Sequence, residues 1–282
     1  MEKETQTREK KWEDVKDSMK SLTVPVSSLI PGLNLEGMLP KGTPKGGELR
    51  YEGLIIVSER DDEPTICESS IKNRIDEMNN ILPGTWVHRD EMICTEFAPN
   101  VYSDIVHEIR RNNEQVKSSL ACLKDQIVVD LSAGANPYGY FIADLAKARG
   151  YVGVEPVFSE ELISNIATGI EGEDFILGIC HTHNETPIAV MAEDMLSFLR
   201  RLPDDSVSFF CSGIDEFIMP YQDYEKACGR EIFRALNPDG AYIGEKCGGH
   251  ISYLGPEIGE ERIDGNAGTI FYHHTKAHKQ EE

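Results

Sequence analysis

The stretch from Ile127 to Gly139 restricts the fold of this chain more than any other. Ile127, Val128 and Val129 form a short β-branched apolar run that ends in an acid, Asp130. Small residues follow (Ser132, Ala133, Gly134 and Ala135), then Asn136 and Pro137. From Tyr138 an amphipathic run begins, with Phe141, Ile142, Leu145 and Ala146 on one face. The pattern predicts strand, tight turn, helix. Such a turn aims backbone N–H groups and a helix N-terminus at whatever lies above it, and its small side chains let a ligand approach the backbone.

Around this motif the pattern alternates. Gly150 is expected to end the helix, and Tyr151 to Glu155 to form a second strand that ends in an acid and is stopped by Pro156. Ser159 is placed to cap a helix reaching about Ala167. Glu171 to Glu185 reads as an irregular insertion in which Phe175 to Cys180 can form an extra strand. Pro187 to Ala192 is the third strand, followed by Glu193, Asp194 and a helix carrying Met195, Phe198 and Leu199. Val207 to Ile214 is a buried strand before Asp215. Asp223 is expected to cap a helix over Tyr224 to Leu236, and the Asn237 to Gly240 turn leads into a strand over Ala241 to Cys247. Thr269 to Thr275 is the last strand. Strands alternating with helices imply a parallel sheet with helices on both faces.

Upstream, residues 1 to about 20 read as a surface helix or frayed arm, with Trp12, Val15 and Met19 at helical spacing. Leu22 to Gly47 carries Pro25, Pro31, Pro40 and Pro44 and reads as a wrapped loop with short extended pieces. Glu48 to Ser58 looks like a strand centred on Leu54 to Val57. Ser69 to Leu82 has helical spacing, and an apolar stripe of helical period runs from Val101 to Leu123. A length of 282 residues suits one α/β domain with an extension. We divide the chain into an N-terminal α+β extension, residues 1–98, serving as lid or substrate-recognition region, and a domain over 99–282.

Charge narrows the partners. The formal net charge is -21, whereas nucleic acid is gripped mainly by neutralising phosphates with Lys and Arg. The lysines between Lys3 and Lys20 are interleaved with acids, so no basic patch of size forms. Nucleic acid and anionic membrane are disfavoured. No apolar run is long enough to span a bilayer, and no secretion signal opens the chain. The seven cysteines are scattered, odd in number and without a Cys-x-x-Cys pair, which fits reduced thiols in a cytoplasmic protein. Cys180, His181 and His183 resemble a metal cluster by composition, but no distant partner set accompanies them and no metal is expected. His107 lacks a second histidine four positions on, so the helical zinc motif is absent.

In an open parallel sheet, ligands bind beyond the carboxyl ends of the strands. Three successive strands here end in acids: Asp130, Glu155 and the Glu193–Asp194 pair. Any one of them also suits a turn or a helix cap. Three in order behind a small-residue loop describe a nucleoside pocket, in which one carboxylate accepts from vicinal ribose hydroxyls and the next from an adenine amino group.

From about Val101 to the C-terminus the chain resembles the class I (Rossmann-like) S-adenosylmethionine-dependent methyltransferases. The family's first motif, an acid-ended strand with a Gly-x-Gly-x-Gly-like loop, corresponds to Asp130 through Asn136, with Ser132 and Asn136 in place of two glycines. Asn tolerates left-handed dihedrals, so Asn136 is a workable replacement. The second motif matches Gly153-Val154-Glu155, and the third Asp194-Met195, with Glu193 as competitor. The Leu-x-Pro-Gly-Gly turn matches Leu236 to Gly240. The resemblance implies a doubly wound, mostly parallel sheet of the seven-stranded type and S-adenosylmethionine as cofactor. It implies a cofactor pocket of Asp130, Ser132, Ala133, Gly134, Asn136, Glu155, Asp194, Met195 and Ser212.

An acceptor hydroxyl or amine asks for a base, and Asp215 is the candidate, beside Glu216 and Ser212. The residues after the fourth strand lack the Asp/Asn-Pro-Pro-Tyr pattern of amino-directed nucleic-acid enzymes, so the expected acceptor is a small molecule or a protein. Tyr138 is a candidate for a cation–π contact with the sulfonium or for core packing. Two other classes stay open: a non-catalytic adenosyl-binding module and an NAD(P)-dependent oxidoreductase. Gly139 is followed by Tyr140-Phe141 rather than Lys-Ser/Thr, which sets aside a triphosphate loop.

Overall fold

The computed structural model describes residues 22–35, 51–52, 55–56, 86–89, 92–95, 101–131, 133–134, 137–155, 159–171, 185–191, 195–211, 222–245, 258–264 and 270–276. Helix α1 is a single turn, Val26–Leu29. Strands β1 (Tyr51–Glu52) and β2 (Ile55–Ile56) pair antiparallel, as do β3 (Trp86–Arg89) and β4 (Met92–Thr95). Then follow α2 (Val101–Arg110), α3 (Glu114–Ala121), β5 (Ile127–Leu131), α4 (Tyr138–Leu145), β6 (Gly150–Val154), α5 (Ser159–Glu171) and β7 (Ile188–Met191). The chain continues with α6 (Met195–Arg201), β8 (Ser208–Cys211), α7 (Gln222–Ala235), β9 (Tyr242–Glu245), β10 (Ile258–Asp264) and β11 (Ile270–Lys276).

Seven of these strands form one sheet in the order β10-β11-β9-β8-β5-β6-β7. Strands β5 to β9 are parallel, and β11 and β10 extend the sheet antiparallel at one side. This is the parallel sheet expected from the alternation, in the doubly wound, mostly parallel form that the family resemblance implies. The chain steps outward from β5 to β6 to β7, then returns to the other side of β5 for β8 and β9. Right-handed crossovers force the connecting helices to change faces when the direction reverses, and the packing follows. Phe141, Ile142, Leu162 and Ile166 of α4 and α5 lie in one apolar layer with Val128, Tyr151 and Phe210. Leu196, Leu199, Ala227 and Ile232 of α6 and α7 lie in the other with Val129, Val152 and Phe209. Alternate residues of each strand feed alternate layers. The reversal puts the switch point between β5 and β8, above the carboxyl end of β5.

Residues 22–35 are a strap across one side of the sheet. Thr23 bridges Ile188 in parallel at the outer edge of β7, and Val24 N–H donates to the Ile188 carbonyl at 2.9 Å. Val26, Leu29, Ile30 and Leu33 then enter the layer of α6 and α7. A Cβ on Gly150 would lie 2.8 Å from Leu29 Cδ2, so the strand start is glycine where the strap crosses it.

Several sequence expectations are corrected. The strand over 48–58 is two short strands, Tyr51–Glu52 and Ile55–Ile56, paired with each other. The 101–123 stripe is broken into two helices: Asn112 has φ 62°, and the Asn113 side chain caps α3 by accepting from Gln115 N at 2.9 Å. The turn after α4 uses Lys147 at φ 60°, not Gly150, which already belongs to β6. Asp223 lies inside α7 rather than capping it. Strands β3, β4 and β10 were not expected. The readings for 1–20, 69–82 and 175–180 fall outside the described residues. No helix among the described residues is long and apolar enough to cross a membrane.

Candidate functional site

The site is built where β5 and β6 end. Their register pairs Asp130 with Gly153 and Leu131 with Val154. Tyr151, Gly153 and Glu155 occupy alternate positions along β6 and its continuation, so they address the same face. That face looks onto β5, the turn and α4.

At the rim is Glu155, 5% exposed. Its Oε2 accepts the Gly134 backbone N–H at 3.0 Å, across a sequence separation of 21 residues. The Glu155 backbone N–H donates to the Met191 carbonyl at 2.9 Å, so the residue continues the β6–β7 ladder before its side chain crosses to the turn. Ala133 N–H donates to the Val154 carbonyl at 3.2 Å. Gly134 has φ 59°, a left-handed conformation that glycine adopts without strain. The turn is therefore held at two consecutive residues by the end of β6.

At the base is Asp130, fully buried. Its Oδ2 accepts the Tyr151 hydroxyl at 2.6 Å. A Cβ on Gly139 would collide with Oδ2 and lie 3.1 Å from Asp130 Cγ and 3.2 Å from the Tyr151 oxygen. The carboxylate thus rests against the backbone of the first turn of α4, where the N–H groups of a helix start favour negative charge. Burial, then the charge and hydrogen bond of Asp130, push the Tyr151 phenol well above its ordinary range, so it stays a proton donor. The rings of Tyr151 and Tyr140 meet edge to face, 5.8 Å between centroids.

The other expected site residues divide as follows. Ala133 is buried in the layer of α4. Met195 opens α6, is 6% exposed and packs in the layer of α6 and α7 with Val154 and Ala189. Tyr138 opens α4, half-buried against the α4 layer. Ser132, Asn136, Asp194, Ser212 and Asp215 lie outside the described residues, as do Glu193, Glu216, Cys180, His181 and His183. Among the described residues no group of three or more His, Cys, Asp or Glu side chains is arranged to hold a metal ion. Sequence reasoning brought Asp130, Gly134 and Glu155 to one turn but missed Tyr151 and Gly139. The available signal was the alternation Tyr151-x-Gly153-x-Glu155 beside an acid-ended strand.

These groups fit an adenosyl cofactor at the level of chemistry. A carboxylate is the kind of group that accepts from vicinal hydroxyls, and the Glu155 carboxylate stands beside the turn. Of the described turn residues beside it, Gly134 has no side chain and takes a left-handed conformation that glycine adopts without strain.

No protein-family model matches the sequence, and no curated protein matches it. Several solved structures similar to the chain are methyltransferases. Human methyltransferase-like protein 13 in complex with SAH is 14% identical, with 60% of this chain and 83% of that one covered and a TM-score of 0.39. A SAM-dependent O-methyltransferase from Thermotoga maritima is 11% identical, covering 63% and 73%, with a TM-score of 0.39. Precorrin-6y C5,15-methyltransferase from Geobacter metallireducens is 12% identical, covering 57% and 86%, with a TM-score of 0.37. The strand order and crossovers make this chain a Rossmann-like α/β fold.

Proposed function

We propose that the chain is an S-adenosylmethionine-dependent methyltransferase acting on a small-molecule or protein acceptor. The observation that carries the reading is the Glu155 carboxylate on the Gly134 N–H. It ties the acid that follows β6 to the small-residue turn of β5, as a nucleoside pocket requires. In this reading Glu155 takes the ribose hydroxyls, Asp194 the adenine amino group, and Met195 lies toward the adenine. Ala133 and Gly134, with Ser132 and Asn136, cradle the methionine portion, Ser212 completes the pocket, and Asp130 belongs to its base. The bound cofactor supplies a methyl group on a sulfonium. The chain's own part is to orient donor and acceptor in line, to exclude water and, at Asp215, to take the acceptor's proton. The acidic balance and the scattered cysteines favour an acceptor other than nucleic acid and a cytoplasmic setting.

Isothermal titration with S-adenosylhomocysteine tests the reading. Wild type is expected to bind. Glu155→Gln keeps an acceptor for Gly134 but loses the charge, and should weaken binding by about 1.5–3 kcal/mol, the range for hydrogen bonds to charged groups. No binding by the wild type, or binding of NAD(H) instead, sinks the proposal.

A further inference from the structure

We infer that Tyr151, acting through Asp130 and the space left by Gly139, is a positioning residue that sets the shape of the turn between β5 and α4. The geometry points to a brace rather than to packing alone. Tyr151 and Asp130 are both fully buried and joined at 2.6 Å. A buried carboxylate is costly unless its lone pairs are satisfied, and an apolar pair of similar volume would fill the same layer without that cost. What the polar pair adds is direction. Asp130 precedes the turn, Gly139 follows it, and the carboxylate is seated between the Tyr151 hydroxyl and the backbone at Gly139. One group therefore fixes both feet of the turn.

Strand β6 supplies both clamps. Tyr151 reaches the feet and Glu155 the crest at Gly134, from alternate positions on one side of the strand. Gly153 lies between them and opposite Asp130 in register; a Cβ there would lie 3.4 Å from Tyr151 Cε1 and 2.7 Å from Leu162 Cδ2. Its hydrogen leaves room for Leu162, which packs beside the tyrosine. The inference rests on the adenosyl reading only for what the turn holds; the brace itself is a statement about the turn.

The same layer provides an internal control. The Tyr140 hydroxyl is buried with no hydrogen-bond partner among the described residues, and its ring packs against Tyr151 and Phe141. Tyr140→Phe removes a buried hydroxyl a few ångströms away without touching the brace.

The test is amide hydrogen exchange on the full chain, comparing wild type, Tyr151→Phe, Tyr140→Phe and Gly139→Ala, with S-adenosylhomocysteine titrations alongside. Tyr151→Phe and Gly139→Ala are expected to speed exchange in peptides spanning 131–139, leaving β8 and β9 unchanged. Each should weaken the ligand roughly tenfold, the equivalent of one hydrogen bond to a charged group. Gly139→Ala reaches the same carboxylate from the other foot of the turn. Alanine is the better helix former by up to about 1 kcal/mol, so faster exchange there comes from its Cβ displacing the Asp130 carboxylate and not from a weaker helix. Tyr140→Phe should leave the turn as it is. Unchanged exchange over 131–139 in Tyr151→Phe, or faster exchange spread evenly over the whole sheet, overturns the brace. If Tyr151→Phe does not fold, Gly139→Ala decides by the same criterion. If the local exchange pattern holds but wild type binds no S-adenosylhomocysteine, the brace stands and the adenosyl reading falls.

Discussion

Two tyrosine hydroxyls share the layer beneath α4 under different terms. Tyr151 donates to Asp130, while the Tyr140 hydroxyl has no hydrogen-bond partner among the described residues. Both are held protonated far into the alkaline range, Tyr140 by burial and then by the charge of Asp144, Tyr151 by burial and then by Asp130. The unfolded chain releases these protons near pH ~10. A group that keeps its proton only when folded contributes its full stability below that pH and loses it as pH rises above it. Folding stability should therefore fall above pH ~10 by about 1.4 kcal/mol per pH unit for each of the two tyrosines. Urea midpoints measured across the alkaline range check this, and Tyr151→Phe should flatten the slope by one proton's share. A slope that is the same in both proteins contradicts the burial of that proton. In the sequence, Tyr151 is marked only by its alternation with Gly153 and Glu155. Its role depends on the β5–β6 register, which sets Asp130 opposite Gly153 and so within reach of a side chain two residues earlier. Glu155 was legible because an acid at a strand end needs no register to be placed.

Helices α6 and α7 are tied at their ends by one side chain. Arg234 Nη2 donates to the Leu199 carbonyl at 2.9 Å, and Nη1 to the Leu202 carbonyl at 2.7 Å and Asp204 Oδ1 at 2.6 Å. Its Nε donates to Glu231 Oε2 at 2.7 Å. The two carbonyls lie at the C-terminal end of α6, where helix acceptors run short of internal partners, and the Leu199 carbonyl also accepts the Leu202 N–H at 3.1 Å. A lysine carries the charge but not the planar fork that serves four acceptors. Arg234→Lys should cost about 1–2 kcal/mol, discounted for a half-exposed site, read as a lower urea midpoint with an unchanged slope. No loss would mean that the salt-bridged rim is dispensable. The elements themselves were mostly legible, since each parallel strand is a short apolar run and each crossover helix has a clear stripe. The failures have local causes. Asn113 offers the backbone a cap in mid-stripe, accepting from Gln115 N while its amide donates to Glu108 Oε2 at 2.9 Å, and so divides one predicted helix in two. Strand β10 carries Glu260, Glu261 and Arg262 in sequence, a charged edge strand with no apolar alternation to betray it.

At the scale of the molecule, the reversal of direction at β5 gives each face of the sheet its own helices, and the strap sends most of its apolar side chains into one of them, with Leu22 against the other. Residues 22–35 lie on the N-terminal side of the division proposed after residue 98, yet their apolar side chains are part of the α6–α7 layer. Val26, Leu29, Ile30 and Leu33 are each buried to 9% exposure or less. At about 1.5–3 kcal/mol per fully buried apolar side chain, four of them amount to roughly 6–12 kcal/mol. That equals much of the 5–15 kcal/mol by which a folded domain outweighs its unfolded chain. A chain beginning at residue 99 should accordingly fail to fold cooperatively, and so should one beginning at 36, whereas one beginning at 22 keeps the layer intact. Thermal unfolding of the three truncations, followed by circular dichroism, separates these outcomes. Leu29→Ala in the full chain gives the graded version, a loss of about 2–4 kcal/mol as its contact with the Gly150 backbone is emptied. A stable, cooperative 99–282 fragment would show instead that the strap decorates a core already complete without it, and would make residues 1–98 a separable extension after all.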